Sequence, residues 1–227
     1  MKKFLLLASL FIFSSQINAQ IYHKFGAGIS LGANTSFVDL EKKDQGVSGR
    51  LNLDYYFTPY ITLGLEAQGG KILGGNIFSD PHFRQFTNSY KSLVVNAKLS
   101  LGAIVGYTEN ETLASFNSLY VGTGFGAIIN KMSFIVRQKP GTTYIFPGED
   151  ESVNLVVPFN IGMHIPLPSQ TGIPKFMINV NFQSNVTFGE GLDGYNDASA
   201  KFKNKYPDMY TLFSIGIKYN FGPETYW

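Results

Sequence analysis

The sequence predicts an all-β fold, an eight-stranded antiparallel up-and-down transmembrane β-barrel in which residues 20–227 form a single domain. Three observations predict this fold. Eight segments alternate apolar and polar residues with a period of two, which is the periodicity of an extended strand with two different faces. No apolar run after the N-terminal segment reaches the ~20 residues that a membrane-spanning helix needs. The connections between segments alternate between long and short, as is typical of barrels that cross a membrane.

Residues 1–19 are predicted to be a secretory signal peptide, because Lys2 and Lys3 precede an apolar run over 4–13 and Ala19 supplies a small residue at the cleavage site. An uncleaved anchor is the alternative, but the apolar run is about half the length of a spanning helix. The two lysines are among 18 basic residues, so removing this segment leaves 16 against 16 acidic residues. No basic stripe marks a nucleic-acid surface. The chain has no cysteine, which excludes disulfides, thiolate metal sites and a thioether-linked lipid.

The first four segments, 24–37, 47–57, 61–71 and 93–101, each place apolar residues on one face and mostly small or polar residues on the other. Each has about the 9–11 residues that cross a bilayer when a strand is tilted. Residues 58–60 form a tight turn, in which proline is tolerated because no ladder donor is needed. The apolar faces carry, in order, Phe25, Ala27, Ile29, Leu31 and Phe37; Leu51, Leu53, Tyr55 and Phe57; Ile61, Leu63, Leu65 and Ala67; and Leu93, Val95, Ala97, Leu99 and Leu101.

The last four segments, 119–130, 153–164, 176–185 and 214–221, repeat this alternation. Helical spacing fits none of them better. Their apolar faces carry Leu119, Val121, Phe125, Ala127 and Ile129; Val153, Leu155, Val157, Phe159, Ile161 and Met163; Phe176, Ile178, Val180 and Phe182; and Ile215, Ile217, Tyr219 and Phe221.

The links predict long loops at one end of the barrel and shorter turns at the other. The third long link is expected to continue its strands as a hairpin that turns at residues 139–141. An extension of the fourth strand to Tyr107 would shorten the second of the short links. The long links are 38–46, 74–88, 131–152 and 189–208, and the shorter ones are 58–60, 103–117 and 166–174.

Alternation alone fits a soluble barrel with an apolar cavity as well as a membrane barrel with an apolar exterior. Three features favour the membrane barrel. The polar face consists mostly of Gly, Ser, Thr, Asn and Gln, whereas a water-facing surface carries more charge. Glycines repeat on that face, and small residues suit the crowded interior of an eight-stranded barrel. Aromatic residues gather at strand ends on the apolar face, where membrane interfaces lie: Tyr55, Phe57, Tyr219 and Phe221 at one end, and Phe37, Phe188 and Phe213 at the other.

The final segment carries a second signal, formed by Ser214, Gly216, Tyr219 and Phe221. Their order (polar, any, glycine, two of any, aromatic, any, aromatic) resembles the C-terminal signal that the barrel-assembly machinery of Gram-negative bacteria reads. The resemblance implies that this machinery is a partner during insertion. It also implies an integral protein of the cell outer membrane, which we expect to keep both termini in the periplasm.

The chain as a whole resembles the small OmpA/OmpX-type barrels and, more closely, the PorT-like outer membrane β-barrel family. Residues 56–59, 120–126 and 215–222 carry the resemblance, and the last of these phrases is the most specific. Members of that family include structural anchors and a component of the type IX secretion system. Since only six residues follow Phe221, we expect no peptidoglycan-binding domain after the barrel. An eight-stranded barrel has no open channel, so a general porin is disfavoured.

Several charged residues are predicted to point into the barrel, where a charge without a partner is costly. We therefore expect them to pair with each other and with water in the lumen. The favoured interpretation is a polar plug that fixes strand register and closes the pore, and a proton or ion path is the alternative. This interior polar network consists of Arg50, Asp54, Glu66, Lys98 and Lys218, joined by His164 near the periplasmic end.

An enzyme is not expected. Barrels that modify lipid A need a histidine with a serine and a carboxylate, and the sequence does not place His23, His82 or His164 in such a triad. No cofactor or metal site is expected either, because the acidic residues of two loops lack the spacing of a calcium loop. Those acidic residues are Glu149, Asp150 and Glu151, and Asp193 and Asp197.

Two functions remain open. The first is a structural or binding barrel whose extracellular loops contact lipopolysaccharide or a protein partner, since loops carry function on a rigid scaffold. The second is an accessory subunit of a secretion complex, type IX-like, or of an envelope-assembly complex. The candidate loop contacts also suit packing of the loop onto the barrel rim; they are Phe78, Phe83 and Phe86, with His82 and Arg84.

Overall fold

Eight antiparallel strands, each paired with its neighbour in sequence and the last with the first, close into a barrel in the computed structural model. The predicted up-and-down barrel is therefore confirmed. The structure describes residues 21–38, 40, 42–103, 117–169, 173–189, 191–196 and 207–227. The strands are β1 (Ile21–Phe37), β2 (Gln45–Tyr56), β3 (Ile61–Gly75), β4 (Gln85–Ser100), β5 (Leu119–Ile135), β6 (Glu151–Pro166), β7 (Phe176–Phe188) and β8 (Met209–Tyr226).

The two ends of the barrel differ. Ile21 pairs with Tyr226, so the first and last strands meet at what we call the terminus end, together with the links 57–60, 101–118 and 167–175. The opposite end, which we call the loop end, holds the links 38–44, 76–84, 136–150 and 189–208. None of the described residues belongs to a helix long and apolar enough to cross a membrane. The predicted signal peptide and its cleavage site lie outside the described residues.

Several strands are longer than the alternating segments. β4 begins at Gln85, eight residues before the predicted segment. β8 does not end at Phe221 but continues to Tyr226, because the first residues of β1 pair with this extension. A single 3-10 turn follows β4 at Leu101–Ala103. The predicted extension of the fourth strand is therefore wrong over Leu101–Ala103, because the strand ends at Ser100. Tyr107 lies outside the described residues.

The third long link turns where the sequence predicts. Gln138 bridges to Ile145, and the amide of Lys139 donates to the Tyr144 carbonyl at 3.1 Å. Gly141 adopts a φ of 73° inside this turn, a conformation that glycine takes without steric cost. The link is thus a short hairpin above the barrel wall.

Apolar side chains cover the outside of the barrel, as the alternation predicts. Leu31, Phe125 and Ile217 expose 67%, 65% and 56% of their surface. Their polar neighbours in sequence, such as Ser30 beside Leu31 and Lys218 beside Ile217, point inward and are buried. This is the inverse of a water-soluble barrel, in which the polar face is outside.

The interior has two layers. The half toward the terminus end is polar and charged, as expected, whereas the half toward the loop end contains an apolar cluster among buried polar side chains such as Asn88, Asn130 and Asn185. The expectation that small hydrophilic side chains fill the whole interior is therefore wrong. Adjacent apolar residues such as Val94 and Val95 place one side chain on each face of a strand. The cluster includes Ile72, Phe86, Tyr90, Val94, Ile128, Val156 and Tyr210 from the strands, and Leu40, Phe146, Leu192 and Tyr195 from the links.

Candidate functional site

Asp54 is the centre of the charged layer. Its carboxylate lies 3.3 Å from Lys98 Nζ and 2.6 Å from Lys218 Nζ, and Asn52 Nδ2 donates to it at 2.8 Å. All three charged groups are almost fully buried. β2, β4 and β8 each contribute one of them because the inward positions of these strands face a common interior. One carboxylate therefore joins three strands across the barrel.

Glu66 is the second carboxylate of this layer. Its Oε2 lies 3.6 Å from Arg50 Nη1, and its Oε1 accepts hydrogen bonds from Gln68 at 2.7 Å and Gln183 at 2.9 Å. Arg50 also donates to Asn179 Oδ1 at 2.7 Å. The sequence placed Arg50 and Glu66 inside but did not identify the glutamines and asparagines that complete their hydrogen bonding. Those amides occupy inward positions of β3 and β7, so the period-two alternation of these strands could have identified them as interior residues.

The structure places His164 at the edge of this network. Its ring stacks on Tyr120, with centroids 4.6 Å apart. Tyr120 in turn donates to Asn181 at 2.8 Å and accepts from Asn179 at 2.9 Å. The other five predicted residues form two ion-paired groups, so the network contains three cations and two carboxylates.

The four residues of the C-terminal signal divide between the two faces of β8. Ser214 and Gly216 point inward, and a Cβ added to Gly216 would collide with the Ile29 carbonyl oxygen on β1. Tyr219 and Phe221 point outward. These two rings belong to a continuous aromatic ladder across β7, β8, β1 and β2 at the terminus end; the sequence predicted four of its members at this end, but not the contacts between neighbouring strands that join them. Its members are Phe176, Tyr219, Phe221, Phe25, Tyr55 and Phe57, with successive centroids 4.9–6.0 Å apart.

The loop end is closed by a cap from three links. Tyr195 donates to the Val136 carbonyl at 2.7 Å and contacts the backbone of Gln85. Its ring packs against Phe146 at 6.0 Å, and the Arg84 guanidinium lies 5.5 Å from it. Burial raises the pKa of the Tyr195 phenol, which therefore remains a donor well above neutral pH. The cap is thus a packed unit rather than a set of independent loops.

The structure places the five predicted loop residues in different environments. Phe86 is not a loop residue: it lies in β4, points inward and is buried in the apolar cluster, so its predicted contact with an external ligand is wrong. Arg84 is buried under the cap, and His82 packs on Phe146. Phe78 exposes 90% of its surface and Phe83 exposes 37%, and the backbone of Phe83 has a φ of 59°. Of the three predicted phenylalanines, Phe78 and Phe83 are therefore the two that present a ring to the outside.

The loop acids make internal contacts. Asp150 accepts from Arg137 at 2.8 Å, and Glu151 pairs with Lys131. Asp193 is buried and accepts from the Tyr195 amide at 3.0 Å. Asp197 lies outside the described residues, and no cluster of metal-ligating side chains occurs in the part of the chain that the structure describes.

The histidines lie at opposite ends of the barrel. His82 belongs to the cap, whereas His23 and His164 line one cavity at the terminus end. His23 Nδ1 lies 3.3 Å from the Gly222 carbonyl oxygen. These contacts, with a carbonyl and with aromatic rings, give no positive indication of a triad.

No family model matches the chain, and no curated protein matches it. Among solved structures, the barrel is similar to Neisserial surface protein A, with 10% identity, a TM-score of 0.49, and coverage of 89% of this chain and 99% of that one. It is similar to Ail of Yersinia pestis, with 13% identity, a TM-score of 0.46, and coverage of 88% and 99%. It is also similar to the outer membrane protein OprG from Pseudomonas aeruginosa, with 11% identity, a TM-score of 0.39, and coverage of 89% of this chain and 98% of that one. Similarities this remote transfer no function, and the resemblance to the PorT-like family stays a prediction.

Proposed function

We propose that this protein is an integral outer-membrane β-barrel whose loop end, directed outward, binds lipopolysaccharide. One observation carries the membrane location: apolar side chains cover the outside of a barrel whose polar groups are enclosed. A closed sheet satisfies its backbone without water, as a lipid environment requires. The N-terminal signal and the C-terminal assembly signal predicted from the sequence support the same location.

Three lysines on the outer wall support lipopolysaccharide as the ligand. Lys71 of β3, Lys91 of β4 and Lys131 of β5 are all exposed. Ser89 pairs with both Lys71 and Lys131, and Lys91 lies two residues further along the same strand. Neighbouring strands are about 4.8 Å apart and alternate residues about 7 Å apart, so the flexible ammonium groups of Lys71 and Lys91 can converge on one anion, with Lys131, which pairs with Glu151, beside them.

The position of these lysines indicates what the anion is. They border the apolar belt on the loop side, next to Leu93 and Ile129. Near the loop end, the described outer faces of β1, β2, β7 and β8 carry no charge. A cluster of cations at the border of lipid and water, confined to one side of the wall, is complementary to lipid phosphate groups. Lipopolysaccharide carries such phosphates in the outer leaflet.

The double substitution Lys71→Ala/Lys91→Ala tests this proposal. Lys131 is kept because it pairs with Glu151. We expect the variant to fold normally and to retain at least five-fold less lipopolysaccharide after purification in mild detergent, measured by native mass spectrometry. The matched control, Lys24→Ala/Lys175→Ala, removes the same charge at the terminus end and should retain the wild-type amount. Equal retention by both variants would refute the lysine site.

A protein partner at the loop end is the second candidate. Phe78 and Ile145 support it, because they expose 90% and 64% of their surface at the tips of two links, and exposed apolar groups favour association. Cross-linking in intact cells, followed by purification, tests this candidate. A stoichiometric partner that is lost in Phe78→Ala/Ile145→Ala would support it, and membership of a secretion complex would be read from the partner's identity. A barrel recovered only with lipid would favour the first candidate.

A further inference from the structure

A cavity of about 450 Å³ opens at the terminus end, on the opposite side of the charged layer from the cap. Lys98 and the rings of Tyr56 and Tyr120 lie on its walls, with Tyr22 and Tyr60 also lining it. Cavities of about 300–1,000 Å³ hold small organic molecules. This cavity is distinct from the outer-wall lysines and does not depend on what the loop end binds.

The charges beside the cavity are unbalanced. Arg50 is matched by Glu66, but Asp54 is shared by Lys98 and Lys218. Among the described residues of this network, one positive charge therefore has no counter-charge. A buried excess charge is costly unless an opposite charge compensates it. Lys98 is the cation of this group that reaches the cavity.

The polar side chains of the cavity also suit an anion. Lys98 uses one ammonium proton on Asp54, at the long distance of 3.3 Å, so it can donate to a second acceptor. His23 also lines the cavity, but its Nδ1 faces the Gly222 carbonyl oxygen at 3.3 Å and must donate to it, so the neutral ring has no proton at Nε2 to offer an anion. His164 lies on the same wall. The cavity thus combines a buried cation, Lys98, with aromatic walls.

We propose that this cavity binds a small organic carboxylate with a flat apolar body. The carboxylate accepts a hydrogen bond from Lys98 and supplies the missing negative charge. The apolar body lies among the tyrosine rings, where stacking and edge contacts stabilise a flat molecule. An inorganic anion would satisfy the charge but leave the aromatic walls without a partner.

Binding of 2-naphthoate to the full-length protein in lipid nanodiscs tests the proposal, with tyrosine and histidine ring signals followed by NMR. We expect saturable shifts at Tyr120 and His164. The uncharged analogue 2-naphthalenemethanol should bind at least ten-fold more weakly, and acetate should not reproduce the shifts at the same concentration. Equal binding of the uncharged analogue, or equal shifts with acetate, would overturn the proposed ligand class.

Three variants locate the site. Lys98→Met removes the cation and should weaken 2-naphthoate binding at least ten-fold. Ser100→Phe fills the cavity near its mouth without touching the ion pairs, and should abolish binding in a protein that still folds, as judged by heat-modifiable gel mobility. Lys139→Met makes the same chemical change in the loop-end hairpin and should bind normally. Wild-type affinity in Lys98→Met or Ser100→Phe, or no saturable binding to the wild type, would refute the site.

Discussion

At the scale of single residues, Asp54 shows how burial inside the barrel determines how much one charged side chain contributes to stability. Lys98 and Lys218 come from different strands, yet both ammonium groups lie within 3.3 Å of its carboxylate. Lys218 is buried and cannot exchange this partner for solvent, and Lys98 reaches solvent only through the cavity at the terminus end. Removing one partner of a buried ion pair is therefore far more costly than removing one of an exposed pair.

We predict that Asp54→Asn lowers the free energy of unfolding by about 3–5 kcal/mol, because two buried lysines lose their counter-charge. The matched control is Asp44→Asn, which breaks the exposed pair with Lys42 at 3.8 Å and should change stability by less than about 1 kcal/mol. Urea unfolding in lipid vesicles measures both. Adding Lys218→Met to Asp54→Asn should recover part of the loss. Equal stability of the Asp54 and Asp44 variants would contradict an enclosed charged layer.

At the scale of the secondary-structure element, β5 shows why glycines repeat on an inward face. Gly122, Gly124 and Gly126 pair with inward-pointing residues of the neighbouring strand β4. A Cβ added to Gly126 would collide with the Leu93 carbonyl oxygen of that strand. These glycines allow the wall to curve closely around a narrow interior. The glycine face is therefore a requirement of the barrel's small size.

We predict that Gly126→Val destabilises the barrel by about 1–3 kcal/mol through overpacking. Gly49→Val is the matched control, because Gly49 points outward from β2 and an added Cβ would meet nothing nearer than 3.7 Å. It should be neutral or slightly stabilising, since valine favours strands. Thermal unfolding on semi-native gels distinguishes the two variants. A loss of stability in Gly49→Val as large as in Gly126→Val would show that the close approach to β4 is not the cause.

The elements also show what a sequence can predict. Period-two alternation identified all eight strands and their faces, since each strand crosses a boundary between two environments. It failed where both faces are apolar: Val94, Ile128 and Val156 point inward beside outward valine or isoleucine neighbours. Inward charges were predictable from alternation, but their partners depend on the shear of the closed barrel. The cap could not be predicted, because Tyr195 and Phe146 meet only after distant links converge.

At the scale of the whole molecule, the exposed apolar surface distinguishes a lipid-facing wall from a water-facing one. The outward face of β8 runs from Thr211 near the loop end to Ile217 in the middle of the strand. Ile217 lies beside outward isoleucines of both neighbouring strands, Ile29 and Ile178. In water such a surface would drive aggregation, whereas in a bilayer it is the contact with lipid tails.

Arginine at these two depths of the same face tests the membrane location proposed for the barrel. We predict that Ile217→Arg costs about 2–4 kcal/mol and Thr211→Arg about 0–1 kcal/mol, because the penalty for a lipid-facing arginine is largest at the bilayer midplane and falls toward the interface. Reversible urea unfolding in phospholipid vesicles gives both free energies. In a water-facing wall the two substitutions would be similarly tolerated, and Ile217→Arg would improve solubility. Equal and small costs would therefore exclude a lipid-facing β8, and with it the proposed location.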